Sequence, residues 1–334
     1  MAFLRNNMNK KSIVLLIFFL FVIQTMCAQN FNNHSLSLEF GGGFLYGTSF
    51  EILYRSRISN EYTSELQWNI KPLWFVGLSL EYAPKEPLVQ NAIFFRFDTK
   101  FGIPGVTGVQ ENRDWLAPST VPGSLTHFSS HDNKTTAAFL INSSAGLSMP
   151  LIGNFLLKLS LDFLAMYFKF EAWDGYTQYN PTITQPYHPW NQDWPKRSFP
   201  GLGVDYFQFW FIPKPAIGID WHGDRINFKL SFSASMLILC ETEDNHYLRK
   251  PPLVFKGDLS GGFYYEPKAS VAFNFSNRLC LGLSIFYMKI SGTRGDLTID
   301  QMYNTGVVSS TYPNRFGAGL QVFSGELLFR INLF

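Results

Sequence analysis

The sequence predicts an all-β fold, a transmembrane antiparallel β-barrel of about ten strands in a single domain. Three observations carry this expectation. Apolar and polar residues alternate over stretches approaching or exceeding 15 residues, whereas strands of soluble proteins average roughly 5 to 6. A period of two with one apolar and one polar face describes a strand lying between oil and water. Short turns alternate with long connections, the asymmetry of outer-membrane barrels. The composition agrees: 16% of the 334 residues are charged and 17% aromatic, including 34 Phe, against about 25% charged residues in soluble domains.

Taken from the N-terminus, residues 1–28 read as an export signal. Arg5, Lys10 and Lys11 precede an apolar run over residues 13–23, and Ala28 offers a small residue for cleavage. Cys27 raises a lipoprotein reading, although Gln24, Thr25 and Met26 match the usual small-residue context poorly. The expected mature domain is residues 29–334. Loss of the signal removes three basic residues and no acidic ones, leaving 24 against 25, a balance of −1. Nothing in that balance points to nucleic acid. Cys240 and Cys280 remain, too few for a disulfide framework, and both fall on rows expected to face lipid.

The first strand begins near Leu36 and contains the run Gly41, Gly42 and Gly43, which implies a bend or a close backbone contact. In the second, Leu66, Trp68, Ile70, Trp74, Val76, Leu78 and Leu80 share one parity and are expected outside; Glu65, Gln67, Asn69, Lys71, Ser79 and Glu81 oppose them. A long connection is expected over residues 105–135. A later strand sets Phe155, Leu157, Leu159, Leu161 and Phe163 against Lys158, Ser160 and Asp162. A second long connection is expected over 173–203. Short turns are expected at Ile152-Gly153-Asn154, His222-Gly223-Asp224 and Ser276-Asn277. Between them, Ile226, Phe228, Leu230, Phe232, Ala234, Met236, Ile238 and Cys240 alternate with Asn227, Lys229, Ser231, Ser233 and Ser235. The last strand sets Leu327, Phe329, Ile331 and Leu333 against Glu326, Arg330 and Asn332, and the chain ends on the aromatic Phe334. Such rows suit lipid outside and a polar interior. Trp68, Trp74, Tyr82, Trp210, Trp221 and Tyr287 are candidates for interfacial girdles.

No His-Glu-x-x-His, paired Cys-x-x-Cys or Gly-x-x-x-x-Gly-Lys pattern occurs, so neither a metal nor another cofactor is expected. Asp244 and His246 are the better candidates. Side chains at i and i+2 of a strand share a face, where a carboxylate can hold an imidazole in one tautomer as a base near neutral pH. Two readings are open at this point, a solvated loop pair or half of a catalytic site. Counted strictly, both residues continue the lipid-facing parity, so a cleft-facing pair requires a bulge or twist after Cys240.

A second site lies upstream, in Gln110-Glu111-Asn112-Arg113-Asp114-Trp115, followed by Pro122-Gly123 and Ser129-Ser130-His131. With Asp244-Asn245-His246-Tyr247, this layout resembles the omptin family of outer-membrane proteases, ten-stranded barrels that carry Asp-x-Asp-Trp after the third strand and Asp-x-His-Tyr at the end of the seventh. The order of strands fits as well, including Ile212-Pro213 in the sixth and Trp221 beyond it, and the likeness runs from about residue 36 to 334.

The resemblance implies that His246, oriented by Asp244, activates a water for attack on a peptide carbonyl, with Asp114 helping to hold that water. Asn112 stands where the family has the first acid of the opposing pair, and an amide cannot take a proton or carry charge. Glu111 is a substitute only if it leaves the opposite face. The resemblance also implies that Glu51 serves as a buried counter-charge for a basic substrate side chain. Thr242 replaces the second acid of that pocket, with Glu243 beside it on the other parity. Ser129 and His131 superficially suggest a serine nucleophile, but no third group accompanies them.

The expected function is therefore an outer-membrane endopeptidase, its site facing the exterior, that cleaves peptides near basic residues, with peptide or protein substrates and outer-membrane lipid as partners. The alternative is a catalytically weakened barrel of the same fold serving as an adhesin or binding protein. A passive channel is the third class, for which an interior of this size filled by side chains leaves little room.

Overall fold

The computed structural model describes residues 34–85, 88, 91–117, 119–179 and 188–333. The expected signal segment, Cys27 and the terminal Phe334 lie outside the described residues. Among those described, every regular element is a strand: β1 (His34–Tyr54), β2 (Tyr62–Pro84), β3 (Ala92–Gly102), β4 (Gly105–Asp114), β5 (His127–Pro150), β6 (Phe155–Tyr179), β7 (Arg197–Ser198), β8 (Leu202–His222), β9 (Ile226–Ser235), β10 (Leu239–His246), β11 (Leu253–Ser260), β12 (Phe263–Asn274), β13 (Leu279–Tyr303) and β14 (Gly306–Asn332).

These segments form the ten expected barrel strands. Three strands are broken in two, β3 with β4, β9 with β10 and β11 with β12, while β7 is a short addition beside β6. All pairings are antiparallel, and β14 pairs with both β13 and β1, which closes the ring and removes the sheet edge. The described chain begins and ends at one rim, where Ser37 pairs with Asn332. The functional candidates occupy the opposite rim. There the connections are shorter than expected, because β4 runs on to Asp114, β5 starts at His127 and β6 continues to Tyr179.

The outer face of the half nearest the chain ends is apolar: Trp74, Val76, Leu78, Ile217, Ile219, Phe228, Leu230, Leu283 and Leu327 are all exposed. Toward the far rim the outward positions become Glu65, Gln67, Glu241, Glu243, Lys256 and Asp258. The apolar band ends there, and the upper barrel stands clear of it.

Alternation is reset inside two strands. In β2 both Lys71 and Pro72 are exposed, and the register with β1 shifts between Leu45 and Gly47. Leu66, Trp68 and Ile70 therefore face the interior, contrary to the expected outward row, while Trp74 to Leu80 keep it. Between β9 and β10 Met236 and Leu237 both point out. Ile238, Cys240, Thr242, Asp244 and His246 consequently face inward, so the bulge required by the site precedes Cys240 instead of following it. Each break places one extra residue on the outer face, and the parity inverts beyond it. Cys240 is thus a core residue. Cys280 also faces the lumen, since Leu279, Leu281 and Leu283 hold the outward parity of β13. Trp68 and Trp210 lie in the interior, not in a girdle.

The lumen has two zones. Near the chain ends it is a charged cavity of about 730 Å³. Arg96 there pairs with Glu39 at 2.5 Å and Asp98 at 2.7 Å, Arg330 with Glu81 at 3.1 Å and Lys158 with Asp220 at 3.1 Å, and Lys100 reaches across to Glu326. Charges removed from bulk water require such partners. Above it the interior is apolar, against the expectation of a polar lumen throughout. The Trp68 ring stacks on Phe170 at 5.6 Å and on Tyr206 at 5.5 Å, with Met288, Ile290, Leu320 and Val322 buried around them. In the glycine run, a Cβ on Gly43 would collide with the Gly325 carbonyl of β14, so this residue serves close strand approach.

Gln208 of β8 braces the two walls. Its Oε1 accepts from Ser49 Oγ of β1 at 2.7 Å and from Trp210 Nε1 at 3.1 Å, while its Nε2 donates to the Phe50 carbonyl at 2.9 Å and to the Tyr206 hydroxyl at 2.7 Å. Replacement by Leu keeps the volume and orphans several buried polar groups, each worth about 1–3 kcal/mol. Gln208→Leu is expected to lower the unfolding free energy by about 2–4 kcal/mol, measured by urea unfolding of the refolded barrel in detergent.

Candidate functional site

Four strands, β1, β4, β5 and β10, place the predicted residues at the far mouth. In β10 the restored inward parity brings up Asp244 and His246, whose Nε2 and Oδ2 are 2.6 Å apart. The ring packs edge-on to Phe255 of β11 at 5.0 Å. A carboxylate at Nε2 accepts a hydrogen bond from the N–H there, which leaves Nδ1 as the basic position. Asp244 is 1% exposed, and among the described residues its Oδ1 has no hydrogen-bond donor.

The opposing group stands on β2 and β4. Asp114 pairs in register with Ser64, and Asn112 with Leu66. The Ser64 hydroxyl donates to Asn112 Oδ1 at 3.2 Å, and both side chains lie beside the Asp114 carboxyl. With its oxygen engaged, Asn112 has N–H donors to offer the cleft. Burial pushes the Asp114 carboxyl above the usual carboxylate range, opposed by Ser64, by the Arg249 and His246 charges and by Asn112. Asp114 and His246 therefore lie within each other's field. Arg249, in the connection after β10, acts on both Asp114 and His127.

Glu111 does not join this group. It pairs with Arg113 at 2.5 Å on the opposite face of β4, as strand alternation requires. Glu243 likewise stays off the inward row and accepts from Asn245 Nδ2 at 3.3 Å. Ser129 and His131 of β5 face inward beside Asn112 and Gln110, but they are not partners of each other. Ser129 hydrogen-bonds Tyr179. His131 Nδ1 donates to the Asp174 carbonyl at 2.7 Å. That carbonyl is aimed by a bulge in which Asp174 and Gly175 have φ of 52° and 104°, and a Cβ on Gly175 would strike the His131 backbone and ring.

Glu51 and Thr242 are both buried below the mouth, Glu51 at 0% exposure. The Glu51 carboxyl lies within hydrogen-bonding reach of Asp244, and burial, then the Asp244 charge, pushes it well above the usual carboxylate range. The contact joins β1 to β10 across the lumen. Ser64, Tyr179 and Arg249 were not candidates from sequence, because none carries a motif. The Asp174-Gly175 turn signal inside an alternating run was the one local clue to the bulge.

A model of the omptin family matches residues 32–324. Among solved structures, the outer membrane protease OmpT from Escherichia coli superposes with a TM-score of 0.80 at 16% identity, covering 92% of this chain and 99% of that one. The translocator domain of the autotransporter NalP from Neisseria meningitidis matches with a TM-score of 0.35 at 7% identity over 96% of each chain, a resemblance too loose to bear on function. Comparison with curated protein sequences yields no match.

Burial holds the His131 imidazole below its usual pKa, partly offset by the Asp174 carbonyl. A depressed folded value means that stability is intact above the unfolded value of about 6.5 and falls as pH drops through the folded value. The stability difference between wild type and His131→Gln is expected to be constant above about pH 6.5 and to move in favour of the variant at lower pH, read from urea midpoints across a pH series.

Proposed function

Because the chain belongs to the omptin family, its fold is that of an outer-membrane protease, and we propose that it is an endopeptidase that cleaves peptides near basic residues with an activated water. The bond from His246 Nε2 to Asp244 at the barrel mouth, facing Asp114, carries this reading. His246 Nδ1 takes the proton of a water as that water attacks the peptide carbonyl, and returns it to the leaving amine. Asp244 fixes the ring and stabilises the imidazolium. Asp114 orients the water from the opposite wall, while Asn112 donates to its oxygen in place of a second acid. Glu51 supplies the counter-charge for an arginine or lysine of the substrate, with Thr242 as a neutral neighbour. The apolar band sits in outer-membrane lipid, and the mouth, opposite the chain ends, faces the exterior.

The experiment is hydrolysis of arginine- and lysine-containing peptides by protein refolded in detergent. His246→Ala is expected to lower kcat/KM by about 10²- to 10⁴-fold, and cleavage that survives it sinks the mechanism. Asn112→Asp restores an acid at the opposing wall and is expected to raise kcat. A second reading, a weakened barrel that binds peptides as an adhesin, is favoured by Asn112 and Thr242. It prevails if the wild type and Asn112→Asp are both silent while peptide binding persists.

A further inference from the structure

We propose that Glu51 and Asp244 hold one proton between them, and that this proton leaves when a cationic side chain of a peptide enters beside Glu51. The cleft then exchanges a proton for a substrate cation. The second half rests on Glu51 being the substrate counter-charge; the first half stands on the resting structure alone.

The two carboxyls, at 0% and 1% exposure, lie within hydrogen-bonding reach of each other across the lumen. Among the described residues, both Glu51 oxygens and Asp244 Oδ1 lack any other donor, whereas Asp244 Oδ2 already receives His246 Nε2. Two adjacent buried carboxylates cannot both stay ionised. A proton on Glu51 turns it into a donor to Asp244 Oδ1 and resolves two of the three orphaned atoms, giving a chain from Glu51 through Asp244 to His246.

Among the described residues, the group against the pair that can become a cation is His246, on Asp244 Oδ2. The residues paired with Glu51 on its flanking strands are Leu66 and Ala318. The other titratable groups facing the pair are Tyr206 of β8, whose hydroxyl oxygen accepts from Gln208 Nε2, and Cys240 of β10. Among the described residues, no lysine or arginine acts on Glu51.

The substitution at Thr242 gives this arrangement its effect. A threonine offers a hydroxyl and no charge, so Glu51 is the carboxyl of the pocket not committed to His246, and in the resting state it holds the shared proton. A guanidinium or ammonium entering this buried place needs an anion beside it. Release of the shared proton to solvent supplies that anion and leaves the net charge of the site unchanged. Affinity for a basic peptide then rises with pH, by up to about tenfold per pH unit while one proton is linked to binding.

Two measurements test this. Carboxyl ¹³C NMR of the barrel in micelles, labelled at Glu and Asp, is expected to show Glu51 and Asp244 titrating together, with Glu51 above the ordinary range. Independent titration of Glu51 in the ordinary range overturns the shared proton. Calorimetry of a non-cleavable arginine peptide in buffers of different ionisation enthalpy is expected to report close to one proton released. The same peptide with norleucine for arginine is expected to release none. Equal proton counts, or no binding of the arginine peptide, overturn the exchange. In Glu51→Gln the proton release is expected to vanish while norleucine-peptide affinity stays within about twofold, an expectation that follows from the same linkage. Absence of turnover with both signals intact sinks the catalytic reading and leaves this one standing.

Discussion

The breaks at Lys71–Pro72 and at Met236–Leu237 decide what the lumen contains. Strand geometry allows one side chain in two to face a given side, so an uninterrupted β10 would have aimed Asp244 and His246 at the surroundings. By turning two consecutive residues outward, each break hands the inward row to the opposite parity. On β2 this buries Leu66, Trp68 and Ile70; on β10 it buries Cys240, Thr242 and Asp244. The core beneath the site and the site itself therefore arise from the same local irregularity on two facing walls. Pro72 suits such a place, having no N–H to contribute to a ladder.

The layering that follows is energetically consistent. Where lipid lies outside, the sheet shows its apolar face outward and fills the inside with paired charges. Where water lies outside, the outer face carries Glu241, Glu243, Lys256 and Asp258, and apolar side chains occupy the inside. The Trp68 stack separates the charged cavity from the mouth, so Asp114, Asp244 and Glu51 are set on a dry floor and not over a water column. This accounts for the raised Asp114 and Glu51 carboxyls, in each of which burial is the largest cause.

Much of this was legible in the residues. Alternation from Phe155 to Phe163 and from Leu327 to Leu333 predicted outward rows that the barrel keeps, and the pairing of Asp244 with His246 followed from i, i+2 spacing. The inversions were harder, because apolar residues continue on the same parity through both breaks. Trp68 and Trp74 have the same character and parity, yet one faces the core and the other lipid. Periodicity registers polarity relative to the other face, not which side is which. The contact between Glu51 and Asp244 was beyond reach for another reason: 193 positions apart in the chain, they meet only through the cross-section of the closed sheet. Ser64 and Arg249 were invisible because they act through position alone.

The brace at Gln208 has a consequence for what this mouth can admit. With its amide fully engaged to two walls, the gap beneath the site behaves as a calliper of fixed setting. Breadth of acceptance cannot come from the barrel spreading, since that would break the two buried hydrogen bonds that tie Gln208 to β1. A polypeptide must instead arrive already thin, as an extended segment or a loosened loop. Variation among guests is left to the connections above the rim.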